Sequence, residues 1–161
     1  MSTTLLPAPK DIRDLLTDLV GREVTVAPGQ PVMPTPREKS SVAIYVDAQL
    51  GILALCVMDL PMSAWTGAAL ALLPPGGVQD AVEDGELYPM HVEALYEVVN
   101  VVSALFNTPG APHAKLHALH APGDTLPVDV LGLAASLGNR IDLDCTVAGY
   151  GKGKLSIILP F

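Results

Sequence analysis

The sequence predicts an α+β fold: a single domain with an antiparallel-rich β-sheet and long helices packed on one face of it. Three observations predict this. Apolar residues recur at helical spacing over 12–20 and again over 93–106. Two pairs of apolar or alternating runs, 41–48 with 51–58 and 141–148 with 154–159, are separated by short turn sequences, as in antiparallel hairpins. The order of helix and strands occurs roughly twice along the chain, a weak pseudo-symmetry without letter-for-letter repetition.

Composition agrees with this class. A chain of 161 residues and 16.8 kDa suits one domain with a real hydrophobic core. Hydrophobic residues make up 50% and charged residues 16%, which excludes extensive disorder. Aromatics are only 4%, so the core must come from Val, Leu, Ile and Ala. The net charge is -8 and the nine Lys and Arg are scattered. Without a basic patch to neutralise phosphates, nucleic-acid binding is excluded, as is an anionic membrane surface.

The elements follow in order. Residues 1–10 read as a flexible N-terminus and 11–161 as the domain. Asp11 opens a helix with Ile12, Leu15, Leu16, Leu19 and Val20 on one side, and Gly21 stops it. A first strand fits 23–26. The stretch 27–40 has Pro28, Gly29, Pro31, Pro34 and Pro36, which is loop composition. The hairpin 41–48/51–58 ends at Asp59 and Pro61. Ser63 then caps a short helix over 64–73, with Trp65 anchoring it to the core, and Pro74-Pro75-Gly76-Gly77 stops it. An acidic linker covers 80–86. A long helix spans 88–106, with Pro89 allowed in its first turn. Strands follow at 114–120, 141–148 and 154–159, the last two joined through Gly149, Gly151 and Gly153; 128–137 fits either a strand or a short helix.

The long helix carries the chemistry. Glu93, Glu97, Asn100, Ser103 and Asn107 lie three or four residues apart and therefore share one face. Leu95, Val98, Val99, Val102 and Phe106 form the opposite, apolar face. Glu97 and Asn100 put a carboxylate and a carboxamide one turn apart, a pairing suited to recognition and to positioning a water. The same residues also fit the plain solvated face of an amphipathic helix.

Other features point to scaffold. Cys56 and Cys145 sit inside apolar or alternating runs and read as core thiols of a reducing compartment. The N-terminal segment lacks the pattern of a secretory signal, and the apolar run 51–57 is too short for a bilayer, so a soluble cytoplasmic protein is expected. On a strand, His113 and His117 share a face while His120 points the other way, a poor geometry for a metal, and no metal site is assigned. Gly149 to Lys154 lacks the Ser or Thr and the helix that a phosphate loop needs, and reads as a hairpin turn. Asp142 and Asp144 alternate along one strand and read as a solvated face.

Glu97-Val98-Val99-Asn100 matches an E-x-x-N motif on a long helix. The Gly-led strand at 51–58 feeds a helix, and Pro127-Val128-Asp129-Val130-Leu131-Gly132 is similar to a P-x-V-x-x-G segment. With these in order, the chain resembles the CheC/CheX chemotaxis phosphatases and their CheX-like relatives over about residues 11–161. The resemblance implies a CheX/CheC-like fold and dephosphorylation of a CheY-like response regulator. In that scheme Glu97 contacts a lysine of the regulator, and Asn100 orients a water toward the aspartyl phosphate. Glu93, Ser103 and Asn107 are partner-binding rim positions. This chain binds no cofactor; the Mg²⁺ belongs to the regulator. A homodimer is also implied. The single E-x-x-N match resembles the one-site CheX type, and Ala104 stands where the family usually has Gly. That departure keeps a second expectation open: a non-catalytic CheX-like module that docks to a regulator or another signalling partner.

Overall fold

A computed structural model describes residues 3–160. Its two hairpins are those the alternating runs predict. Strand β2 (Ser40–Val46) pairs with β3 (Ile52–Asp59), and β5 (Arg140–Val147) pairs with β6 (Gly151–Ile158), both antiparallel. β3 and β6 then pair with each other at the sheet centre. The outer strands β1 (Val24–Pro28) and β4 (Lys115–His120) complete a six-stranded sheet in the order β1-β5-β6-β3-β2-β4. Every neighbouring pair is antiparallel.

This order makes the pseudo-symmetry explicit. Helix α1 (Pro9–Val20), β1 and the β2–β3 hairpin form one half; helix α4 (Pro89–Val102), β4 and the β5–β6 hairpin form the other. The outer strands are exchanged: β1 of the first half pairs with β5 of the second, and β4 of the second pairs with β2 of the first. Each half also ends its helix with the same kind of clasp. Thr17 Oγ1 accepts the N–H of Val24 at 3.0 Å, and Asn107 Oδ1 accepts that of Ala114 at 2.7 Å, each seven residues on.

One sheet face carries the long helices. Ala43, Tyr45, Cys56, Met58, Leu143, Leu155 and Ile157 meet Ile12 and Leu16 of α1, Met62, Trp65 and Ala68 of α2 (Leu60–Leu70), and Leu95, Val98 and Val102 of α4. Helix α2 is buried along most of its length, consistent with its sequence being apolar all round. It lies against β6 because Gly153 has no side chain: a Cβ there would come within 2.6 Å of the Met62 backbone nitrogen. The glycine-rich stretch of 149–153 therefore seats a helix as well as making a turn.

The opposite face has its own cover. Val42, Ile44, Leu55, Val57 and Ile158 pack against Val130 and Ala134 of the short helix α5 (Val128–Ala134) and against Val32. Asp142 is here, and not on a solvated face as expected. Its carboxylate accepts from Arg140 Nε at 2.9 Å and from Ser156 Oγ at 2.6 Å. Ser156 Oγ in turn accepts from the Val32 N–H at 3.0 Å, while Arg140 donates to the carbonyls of Ala134 and Ser136. This network ties the 29–32 segment and α5 to the sheet. Asp144 is the exposed one, paired with Lys154 at 2.6 Å.

Helix boundaries differ from expectation where Pro and Gly occur. α1 begins at Pro9, ahead of Asp11, and Leu6 packs on the core; Met1 and Ser2 of the expected flexible start lie outside the described residues. Asp59 and Pro61 start α2: the Asp59 carboxylate accepts the Met62 N–H at 2.9 Å, and Pro is tolerated in a first turn, where no intrahelical donor is needed. Ser63 is not the cap; its hydroxyl donates to the Asp59 carbonyl. Pro75 likewise opens a helix, α3 (Pro75–Asp84), over the residues read as a stop and an acidic linker, because Val78 and Ala81 are buried while the acids face water. The 128–137 stretch is helical as α5. No helix among the described residues is long and apolar enough to cross a membrane.

Cys56 and Cys145 are both buried with free thiols. Burial pushes each thiol up to about 12. Strand β6 lies between theirs, a separation of about 10 Å across the sheet, beyond the roughly 7 Å that a disulfide spans.

Candidate functional site

Helix α4 has few local reasons to be straight and rigid. Tyr88 precedes it without a side-chain cap, and Val98, Val99, Val101 and Val102 are β-branched, which lowers helix propensity. Packing supplies what propensity does not. Leu95, Val98, Val99 and Val102 are buried, and the buried Tyr45 hydroxyl donates to the Val99 carbonyl at 2.6 Å. Tyr45 also packs its ring on Phe106, centroids 5.0 Å apart. Gly67 of α2 lies under the N-terminal half of α4, where a Cβ would be 3.0 Å from the His91 carbonyl and 3.3 Å from the Leu95 nitrogen. His91 is buried at this contact and stacked on Tyr88 with ring centroids 5.4 Å apart; its Nδ1 has no hydrogen-bond partner. Burial holds its pKa below the usual histidine value.

The outward face is thereby fixed in place. Glu93, Glu97 and Asn100 are exposed, and no hydrogen bond or ion pair among the described residues engages their side chains. Residues three apart on a helix have Cβ atoms about 5–6 Å apart, so Glu97 and Asn100 address one patch of an incoming surface. Glu97 offers only acceptors; Asn100 offers both donors and an acceptor, the combination needed to hold a water in a chosen orientation.

Ser103 and Asn107 are differently employed. The helix tightens into a 3₁₀ turn at Ser103–Leu105, and the Ser103 hydroxyl donates to the Asn100 carbonyl at 2.6 Å. The Asn107 amide donates to the carbonyls of Ser103 (3.2 Å) and Ala114 (3.0 Å) while its oxygen accepts from Ala114 N. Both are spent on the end of the helix and the entry to β4. What the polar line conceals is an apolar flank. Met90, Tyr96 and Val101 are 59%, 47% and 40% exposed beside Glu97 and Asn100.

Helix α1, the counterpart of α4, presents Lys10, Asp11, Arg13, Asp14 and Asp18 outward and contains no Asn or Gln. Of these two helices, only α4 therefore carries a carboxamide. A cavity of about 490 Å³ lies elsewhere, between the start of α2 and the end of α3, lined in part by Lys39, Ser40, Asp59 and Lys154. Burial raises the Asp59 carboxyl above the ordinary range, although that group caps α2. The histidines of 113–120 lie on or beside edge strand β4, with His117 in its bulge. Among the described residues no three His, Cys, Asp or Glu groups gather at metal-binding distance.

No protein-family model matches the chain, and no curated protein matches it. Solved structures do. FliY from Thermotoga maritima superimposes with a TM-score of 0.60 at 12% identity, covering 95% of this chain and 84% of that one. The FliM middle domain from Vibrio alginolyticus gives 0.59 at 13%, covering 94% and 88%. A chain of the CheX–CheY–BeF3–Mg²⁺ complex from Borrelia burgdorferi gives 0.53 at 11%, covering 92% of each. The chain thus has the α+β fold common to CheX and the FliM middle domain, and its recognition as CheC/CheX-like in fold stands.

Proposed function

We propose that this protein acts on a CheY-like response regulator and hydrolyses its aspartyl phosphate by positioning a water. The observation that carries the reading is the pair of unengaged side chains, Glu97 and Asn100, one turn apart on a helix held by Tyr45 and Gly67. Glu97 would pair with a cationic side chain of the regulator and set the register. Asn100 would enter beside the phosphoryl group, accept from the water with its oxygen and hold it in line. Nothing covalent is asked of this chain, since phosphoryl transfer of this kind is accelerated by placement and electrostatics. The Mg²⁺ would sit on the regulator. The CheX–CheY complex of the same fold supports a regulator as partner.

A second reading is a binding module without catalysis. FliM and FliY share the fold, and Ala104 together with the exposed Met90, Tyr96 and Val101 favours a surface built for docking. Phosphate release from the phosphorylated response regulators of the host, followed with the parent and with Asn100→Ala, separates the two. The proposed chemistry requires acceleration by the parent and a loss of about a hundredfold or more in the variant. Binding without any change in phosphate lifetime would establish the docking module.

A further inference from the structure

We infer that the cavity between the start of α2 and the end of α3 is a binding site for a small organic anion, an apolar body carrying one oxyanion head, either carboxylate or phosphoryl. The site is separate from Glu97 and Asn100: no residue of α4 lines it. At about 490 Å³ it falls within the range of small-molecule sites. Its walls are preformed. Val32 is buried and its N–H is held by Ser156 Oγ at 3.0 Å, so one end of the overlying loop is fixed to the sheet. Ser40 begins β2 at the other end. Between them Pro34 and Pro36 restrict the backbone, and Thr35 and Glu38 close a turn with two hydrogen bonds. The Thr35 N–H donates to the Glu38 carbonyl at 3.3 Å, and the Glu38 N–H donates to Thr35 Oγ1 at 2.9 Å. Leu60 and Pro61 of α2 and Val82 of α3 supply the apolar wall.

Charge selects the ligand class. The chain has nine Lys and Arg and a net charge of -8, yet three of those nine, Arg37, Lys39 and Lys154, line this one cavity. Three acids line it too, Glu38, Asp59 and Asp84, so what counts is which charges are already engaged. Lys154 is paired with Asp144 at 2.6 Å. The Asp59 carboxylate accepts the Met62 N–H at 2.9 Å, and the Asp84 carboxylate accepts the Tyr88 hydroxyl at 3.0 Å. Lys39 has only the Gly85 carbonyl, at 3.4 Å, and Arg37 has no hydrogen bond or ion pair among the described residues. Two cations therefore face one unengaged carboxylate, that of Glu38. An oxyanion on Arg37 and Lys39 restores the balance through charge-assisted hydrogen bonds, and the planar fork of Arg37 matches carboxylate or phosphoryl oxygens. The body of the ligand rests on Val32, Leu60 and Val82. The field of a chain of charge -8 repels anions at long range, so the preference comes from these two side chains at contact.

The test titrates the full chain with anilinonaphthalene sulfonate, an aromatic body with one anionic head, and with its uncharged parent phenylnaphthylamine. Affinity is read from fluorescence and the place of binding from backbone amide shifts. The sulfonate is expected to shift the amides of Ser40, Leu60 and Gly85 and to bind more tightly than the uncharged probe. Arg37→Ala with Lys39→Ala, both exposed and outside the core, is expected to weaken the sulfonate about tenfold or more and to leave the uncharged probe unchanged. Lys10→Ala with Arg13→Ala on α1 removes the same charge elsewhere and is expected to have no such effect. Val82→Phe, which fills the cavity from α3, is expected to weaken both probes. Displacement of the sulfonate by phenylacetate assigns a carboxylate head, and displacement by phenyl phosphate a phosphoryl head. The site is overturned if neither displaces it, if the parent fails to bind the sulfonate, or if the shifts fall on α4 or α5 instead. An equal loss in the α1 variant, or none in Arg37→Ala with Lys39→Ala, overturns it as well.

Discussion

Asn100 and Asn107 are the same side chain two turns apart, and their surroundings make them different tools. Asn107 uses its oxygen and both amide hydrogens on the backbone of Ser103 and Ala114, so its rotamer is set and its donors are committed. Asn100 keeps all its capacity. The contrast matters because a water-positioning group must have an unfilled donor and acceptor at the moment of docking. His91 is the opposite case, a polar ring with a buried nitrogen and no partner, stacked on Tyr88 where α4 crosses α2. No carboxylate offsets its burial, which alone depresses its pKa. The unfolded chain therefore takes up a proton near pH 6.5 that the folded chain resists. The stability this neutral ring contributes is present above about pH 6.5 and is lost as the pH falls toward the depressed folded value. Urea midpoints taken at pH 7.5 and 5.5 are expected to fall further for the parent than for His91→Phe, which preserves the stack and has nothing to protonate. Equal falls would remove His91 from the acid response.

At the scale of elements, α2 decides where everything else sits, and it does so through glycines. Gly153 admits the first turn of α2 onto β6, and the nearest atoms to a Cβ there are the Met62 Cβ, nitrogen and Cα, which are fixed by the helix backbone and cannot swing aside. Gly153→Val is expected to cost about 1–3 kcal/mol or more by overpacking. Gly77→Ala, in α3 with open space around it, should be neutral or stabilising by up to about 1 kcal/mol. Denaturant unfolding of the two variants checks the pair, and equal effects would refute the packing account. The sequence made the hairpins and α4 legible because period-two and period-3.6 patterns are local. It did not reveal that Asp59-Leu60-Pro61 starts a helix, since an Asp and a Pro after an apolar run mark a stop as readily as a cap and a first turn. Asp142 was unreadable for another reason: alternation says which residues share a face, but only α5 and Val32 decide that its face is covered. For the candidate site, spacing put Glu97 and Asn100 on one helix face, and both are exposed there. The engagement of Asn107 depended on where Ala114 comes to rest, and the exposure of Met90 and Val101 was hidden among the many apolar residues of the same helix.

For the whole molecule, the exchange of outer strands binds the two pseudo-symmetric halves into one cooperative unit. Residues 3–86 hold β1 without β5, the strand it pairs with; residues 87–160 hold β4 without β2. Separated, each half would also expose one central strand, β3 or β6, along its full length. The helices are shared in the same way, because α4 of the second half rests on Gly67 of α2 in the first and takes a hydrogen bond from Tyr45 of β2. The orientation of Glu97 and Asn100 is therefore a property of both halves, although every residue of the pair lies in the second. Cutting the chain between Glu86 and Leu87, in the short connection before α4, tests this directly. Each fragment alone is expected to lack a cooperative thermal transition, since neither buries its sheet faces, whereas the equimolar mixture should regain the circular dichroism of the intact chain and melt as one unit. If the proposed function holds, regulator binding should follow the mixture and be absent from the second fragment alone, despite its intact α4 sequence. A cooperative transition in either isolated half would mean that the strand exchange adds no coupling, and binding by the second fragment alone would mean that α4 needs no seat on α2 to present its face.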